Sequence, residues 1–435
     1  MNALTPETSP LEDIERAVQE RAKRHALEMD APDGLHRLRA LVDDEVARWQ
    51  LDFRRGSRPF ELADPELVAE RAVRNIAGYG PLGPLLEDDD VWEIMMNAPD
   101  QIFVKRHRGT SGYHHEAFHD DDHVARTLTK ILDDSSTSHR KLDPAEGLQD
   151  AQLDNGARLH IVHGDIARGG HLIVNIRKFT GVAYRSIDQL VNAEMLTPTV
   201  ASFLIACVRA RRTVVFAGAP GSGKTTLLSC CAAELEPWLR VVVAEEVFEA
   251  DIPLANVASL QTRVARSDRP AVDLRRLVSG FLRMAPDVAV VGEVRDREAL
   301  PLLLTLSSGV QGFTTIHAGS ARQALTRLRF ICQLADTASD LPVSALNTLV
   351  SESIDLVVHC GRTTQGPRVT SVLAVEDLTG PADATQFTTT EVFARSPVDE
   401  RLGWTGQVPA RLARHLAHAG FDVRALVGAT SAAAR

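Results

Sequence analysis

The chain has 435 residues, 58 acidic against 48 basic side chains, and a formal net charge of -10. At about 150 residues per domain, that length points to roughly three domains, and 44% apolar with 24% charged residues excludes wholesale disorder. The acidic balance argues against a general nucleic-acid coat and leaves a local basic groove open.

The first 75 or so residues are charged and helical in pattern. Leu11, Ile14 and Val18, then Leu35, Leu38 and Leu41-Val42, recur at helical spacing, and Pro32-Asp33-Gly34 separates the two helices. Residues 1–77 read as a helical docking segment. The start, Met1 to Thr5, has no apolar run and reads as no secretory signal.

From Gly78 to about Thr180 the pattern is α+β. Val91 to Met96 fits a helix or a strand, Ile102 to Val104 a strand, His123 to Leu132 a helix, and Leu172 to Ile176 a strand. Asp154-Asn155-Gly156 signals a hairpin. The His114, His115, His119, Asp120-Asp121-Asp122, His123 cluster lacks a recurring ligand spacing, so it reads as a solvated loop with acids at a helix start. Residues 181–200, with Pro198, read as a linker.

Beyond it, strands alternate with helices, which implies a doubly wound, mostly parallel sheet. The expected strands are Thr213 to Ala217, Val241 to Ala244, Val288 to Val291, Phe313 to Ile316 and Ile354 to Val358, with a more exposed closing strand at Arg368 to Val375. Ala299 to Ala321 lacks charge and is long enough to span a bilayer, yet its glycine-rich middle reads as a buried helix, a turn and a buried strand. The last 50 residues read as short strands and one terminal helix. The five cysteines, Cys207, Cys230, Cys231, Cys332 and Cys360, read as reduced, buried thiols of a cytoplasmic protein.

Chemistry concentrates after the first of those strands. Gly218-Ala219-Pro220-Gly221-Ser222-Gly223-Lys224-Thr225-Thr226 sits between an apolar strand and a helical pattern, the context of a phosphate-binding loop. Glycines let the backbone curl so that N–H groups converge on phosphate oxygens at a helix N-terminus. Lys224 would reach the β/γ phosphates, and the Thr225 hydroxyl would sit on Mg²⁺.

Cutting the nucleotide also needs a carboxylate, and Glu293 ends the apolar strand Val288 to Val291, with Gly292 where many such proteins place Asp. Glu293 is the second candidate for holding Mg²⁺. Glu245-Glu246 and Glu249 end another strand as candidate general bases, although a solvated acidic surface fits the same spacing. Arg263, Arg283 and Arg295 lie near strand tips, with Arg158 and Arg177 in the preceding domain. An arginine on the transition state contributes about 10³–10⁵ in rate, while a surface salt bridge fits the spacing equally well. His317, after an apolar strand, is either structural or a contact for the γ-phosphate.

Together these segments resemble the type II/IV secretion ATPase superfamily, nearest to the CpaF-type ATPases of tight-adherence pilus assembly. The likeness begins at Gly80-Pro81-Leu82-Gly83-Pro84 and includes Asp154-Asn155-Gly156-Ala157-Arg158, Ile176-Arg177-Lys178-Phe179, the phosphate loop, Glu245-Glu246, Thr262-Arg263, Gly292-Glu293-Val294-Arg295 and Thr314-Thr315-Ile316-His317-Ala318. It implies an α/β fold: a RecA-like P-loop NTPase core over 201–435, preceded by an α+β sensor-like domain. It also implies a homo-hexamer that hydrolyses ATP with Mg²⁺ and works on an inner-membrane platform protein. Such a ring is cytoplasmic, peripheral to the membrane, and binds no nucleic acid.

By that likeness Glu245 matches an acidic-box glutamate, Glu293 the Walker B glutamate, His317 a histidine-box residue, and Arg158, Arg177, Arg263 and Arg295 arginines around the phosphates. Val310, Gly319, Ser279 and Glu246 depart from the family pattern. A RecA-like nucleic-acid translocase and a nucleotide-gated scaffold with weak hydrolysis are the alternatives.

Overall fold

The computed structural model describes residues 9–29, 31–107, 109–135, 141–178, 184–263, 270–334, 341–363, 366–378, 386–396 and 401–428. Two units divide the chain, Met1–Thr180 and Gly181–Arg435. The first opens with helix α1 (Pro10–Arg24), started by a reciprocal capping box between Ser9 and Glu12 with Pro10 in the first turn. α2 (Gly34–Arg54) follows, and α3 (Pro65–Ala77) begins behind Asp64, whose carboxylate accepts from the Leu67 amide. Their apolar stripes meet through Ile14, Val18, Leu38, Val42, Trp49 and Ala72.

Short α4 (Leu82–Glu87) leads into strands β1 (Val91–Ala98), β2 (Gln101–Arg106) and β3 (Gly112–Tyr113). Helix α5 (Asp121–Asp134) and strands β4 (Leu148–Gln152), β5 (Arg158–Val162) and β6 (Ile173–Arg177) complete the unit. The sheet order is β3-β2-β1-β6-β5-β4, with every pairing antiparallel. One face buries Ile94, Met96, Leu159, Ile161, Val174 and Ile176 against Val124, Leu128 and Ile131 of α5. Each such side chain contributes about 1.5–3 kcal/mol on leaving water.

The second unit begins with α6 (Ile187–Asn192) and α7 (Pro198–Arg209). Then come β7 (Val214–Gly218), α8 (Lys224–Ala232), β8 (Val241–Glu245), β9 (Val257–Gln261), α9 (Leu274–Ser279), β10 (Val288–Val294), α10 (Ala299–Ser307) and β11 (Gln311–Ile316). Helices α11 (Ala321–Leu334) and α12 (Val343–Ser353) precede strands β12 (Leu356–Thr363), β13 (Gly366–Val375), β14 (Thr389–Arg395) and β15 (Leu402–Trp404). Helices α13 (Ala410–His418) and α14 (Val423–Gly428) follow.

The sheet runs β15-β14-β13-β12-β7-β11-β10-β8-β9. Pairings from β12 to β9 are parallel, and the β12/β13/β14/β15 end is antiparallel. Both faces are covered, as a parallel sheet requires: Val214, Phe216, Val241 and Val243 enter one cluster, and Val215, Ala217, Val242 and Ala244 the other.

Several expectations change. The supposed linker is folded: Ile187, Leu190, Met195 and Leu196 are buried in the core of the second unit. The helical segment is tied to the rest of the first unit, where Arg74 pairs with Glu116 and Glu15 with His119. The histidine-rich loop is solvated only in part: His115, Asp120 and Asp122 are exposed, Glu116 and His123 are buried, and Asp120 does cap α5 through the His123 amide. Val91 to Met96 is strand. The strand expected from Ile354 starts at Leu356, because Asp355 is drawn aside to accept from the Thr213 amide and to pair with Arg411. Among the described residues the C-terminal part holds two helices where one is expected, and edge strand β9 is additional. Met1 to Thr5, Phe179, the 180/181 boundary and residues 181–183 lie outside the described residues.

Candidate active site

The parallel strands end on one edge of the second sheet, where open α/β sheets carry their sites. β7 runs into the phosphate loop, flanked by β12 on one side and β11 on the other. Gly218, Gly221 and Gly223, all with positive φ, shape the loop. Gly218 has φ +151°, and a Cβ there would stand 2.2 Å from the Cys360 carbonyl oxygen; Gly223, φ +83°, precedes the first residue of α8. Ala219 and Pro220 are exposed at the tip, and Thr225 and Thr226 are half-buried in the first helical turn. Ser222 is fully buried, with a hydroxyl that makes no hydrogen bond among the described residues.

Lys224 is buried, and its ammonium donates to the Ala219 carbonyl at 2.9 Å. It also lies 3.3 Å from His317 Nδ1, which is 3.1 Å from the Gly218 carbonyl. An ammonium only donates and a carbonyl only accepts, so Nδ1 serves one of them at a time. On the other side of the ring, Nε2 meets Glu293 Oε1 at 2.9 Å. Arg295 then grips Glu293 with two bonds of 2.7 Å and reaches Glu246 at 3.2 Å. Burial pushes the Glu293 carboxyl up, but the hydrogen bonds from His317 and Arg295 outweigh it and hold the group at about 2. The Arg295 guanidinium is raised by its bond to Glu293 against the opposing effect of burial.

Glu245 sits one strand further along and takes a different part. It is 3% exposed, and Oε1 accepts from the Glu249 and Ala250 amides at 3.1 and 3.0 Å. Its side chain lies over Gly292, where an added Cβ would come within 2.7 Å of Glu245 Cγ. Glycine at 292 therefore follows from the packing of Glu245, and an Asp there would collide with it.

Lys224, His317, Glu293, Arg295 and Glu246 thus form one chain of contacts from the first turn of α8 across the ends of β11, β10 and β8. Arg263 donates to the Pro270 carbonyl at 3.3 and 3.1 Å, and Arg283 is exposed on a short turn of helix. Arg158 and Arg177 are register partners on β5 and β6 in the first unit. Val310 packs at the edge of a core cluster, Ser279 turns its hydroxyl to the Arg275 carbonyl, and the Gly319 amide donates to Gln323. The cysteines are buried, and burial pushes the Cys230, Cys332 and Cys360 thiols up to about 12.

Two residues here escape motif reading. His359 on β12 is 3.2 Å from the Ala318 carbonyl through Nε2, and burial lowers its titration. Arg362 Nη1 donates to the Gly221 carbonyl at 3.2 Å. Neither belongs to a motif, and only the strand order brings them to the loop.

Residues 75–389 match the family described as type II/IV secretion system protein. The type IV secretion system protein PtlH of Bordetella pertussis is 31% identical over 301 residues, spanning 64% of this chain and 87% of that one. The conjugal transfer protein TrbB of Rhizobium radiobacter is 35% identical over 231 residues, spanning 50% and 68%. Among solved structures, the VirB11 ATPase of the Brucella suis type IV secretion system is similar at 25% identity and a TM-score of 0.37, covering 70% of this chain and 96% of that one.

Proposed function

This chain belongs to the type II/IV secretion system protein family, and on that premise we propose that it is the ATP-hydrolysing motor of a secretion or pilus-assembly machine. The observation that carries the reading is the contact chain from Lys224 through His317 to Glu293, running from the first turn of α8 across two neighbouring strand ends beside a phosphate loop. Loop amides at the start of α8 receive the β-phosphate, and Lys224 exchanges the Ala219 carbonyl for β/γ-phosphate oxygens. His317, already touching Lys224 and Glu293, reports on the γ-phosphate.

Glu293 is ionised at neutral pH. A carboxylate held at about 2 is a poor proton acceptor, so in this arrangement it orients water rather than removing its proton. When Arg295 swings to the charge developing on the γ-phosphate, it frees Glu293 and makes it more basic. Thr225 and Glu293 would hold Mg²⁺, which would supply positive charge to the phosphate oxygens. Arg158, Arg177 and Arg263 are assigned to the nucleotide by family likeness, and Glu245 to holding the loop that follows β8.

Residues 78–180 take the sensor role and residues 1–77 the docking role. The motor is a homo-hexamer acting on an inner-membrane platform, with the tight-adherence pilus branch as its subtype. No helix among the described residues is long and apolar enough to cross a membrane, in keeping with attachment through partners. The test is Mg²⁺-dependent phosphate release by the purified full chain, with mass measurement in ATP. Phosphate release that disappears in Lys224→Ala, together with a six-fold mass, is expected. Release that persists in that variant contradicts the reading.

A further inference from the structure

The β12–β13 hairpin brings a second cation to the rim of the phosphate loop. β12 lies parallel to β7 with Cys360 opposite Gly218, so two residues later the chain passes the sheet edge level with the loop, at Arg362. There the Arg362 guanidinium donates to the Gly221 carbonyl at 3.2 Å. The returning strand seats Pro367 Cβ 3.1 Å from the place a Cβ on Gly223 would occupy. The strands on either side of residues 364–365 are held: Thr363 Oγ1 donates to the Gly366 carbonyl at 3.0 Å, and Arg368 to the Ala193 carbonyl at 3.1 Å. Gly221 and Gly223 are therefore abutted by the paired ends of β12 and β13, and Arg362 is exposed toward solvent at the loop.

We propose that Arg362 is a nucleotide-binding residue that exchanges the Gly221 carbonyl for the α- and β-phosphate oxygens. The proposal rests on the nucleotide reading of the loop. A guanidinium keeps its charge at any working pH, and a bond to an ionised phosphate oxygen is roughly twice as strong as one to a neutral carbonyl. Strand order decides which phosphates it serves. Glu293 and His317, which mark the end that is cut, come from β10 and β11 on one side of β7, whereas Arg362 comes from β12 on the other. The cation on that far side serves the part of the nucleotide that ADP retains.

The experiment is titration of ADP onto the full chain with Mg²⁺, plus steady-state ATP kinetics, for wild type, Arg362→Ala, Arg362→Lys and Lys224→Ala. Arg362 is exposed at a strand end, and thermal melts establish that its variants fold. In Arg362→Ala, an increase of about tenfold or more in the ADP Kd is expected, with KM for ATP rising by more than kcat falls; Arg362→Lys recovers part of the loss. An ADP Kd within about twofold of wild type, or a loss confined to ATP, overturns the proposal. Lys224→Ala separates the two layers. If it loses ADP while Arg362→Ala does not, only the Arg362 assignment fails, whereas normal ADP binding by Lys224→Ala removes the nucleotide site itself.

Discussion

Replacing Gly292 by alanine tests how the acidic side of the site is built. The new methyl carbon would stand 2.7 Å from Glu245 Cγ and 2.9 Å from Oε1. Glu245, at 3% exposure, cannot swing into solvent without giving up its bonds to the Glu249 and Ala250 amides. Overpacking of this kind costs about 1–3 kcal/mol, and each lost bond to a charged acceptor about 1.5–3. Alanine in place of glycine in a strand returns only about 0.5–1 kcal/mol. The clash wins, for a net loss on the order of 2–4 kcal/mol, or about 5–15 °C in the unfolding midpoint of a unit of this size.

The assay is thermal unfolding of wild type, Gly292→Ala, Glu245→Ala and the double variant. Removing the Glu245 side chain makes room for the methyl group, so the two substitutions should couple by about 1–3 kcal/mol, with the second costing less than it does alone. Strict additivity, or a Gly292→Ala protein as stable as wild type, would refute the packing argument.

Acid should act on the Glu293 cluster in a defined window. Its folded carboxyl lies near 2 against an ordinary value of 4.5, so the stability it lends is fully present above about pH 4.5 and is lost as pH falls toward 2. Wild type and Glu293→Gln should therefore converge in melting temperature over that interval, and a gap that stays constant from pH 6 to pH 3 would contradict the ion-pair account. Asp355→Ala should destabilise the second unit by about 3–5 kcal/mol, because Arg411, 8% exposed, is left with the longer 3.9 Å contact to Asp377 as its carboxylate partner and the Thr213 amide loses its acceptor. Denaturant titration checks this, and a loss below about 1 kcal/mol would mean that other groups replace the carboxylate.

The nucleotide unit was legible because its signals are local. Fully apolar strands such as Val214 to Ala217 and Val288 to Val291, each followed by a turn and a helix, leave few alternatives to a parallel sheet, and the glycine-Lys-Thr spacing places the loop between β7 and α8. The uncharged stretch from Ala299 resolves into α10 and the fully buried β11 for the same reason.

Contacts between distant segments were not legible. Nothing at positions 187–196 announces burial, because short apolar runs there acquire a partner only when α6 and α7 pack on the sheet. His119 reads as a loop residue until Glu15, 104 positions away, meets it at 2.8 Å. At the site, Glu293 and His317 could be named from strand ends, but not the double grip of Arg295, which sets the charge of Glu293. Glu245 reads as a general base from its position and proves to be packed on Gly292 with its carboxylate turned to backbone amides. Arg362 belongs to no motif, and its place depends on β12 lying beside β7, a fact of topology rather than spacing.

The most direct test of the account pairs ATP binding with ATP cleavage in Glu293→Gln. The amide keeps the size of the side chain and removes its charge, so the phosphate loop and Lys224 are left in place. Retained ATP affinity is expected, with phosphate release slowed by about 10²–10⁴. Turnover at the wild-type rate would contradict the claim that this carboxylate, at the tip of the strand two places from the phosphate loop, governs the cut.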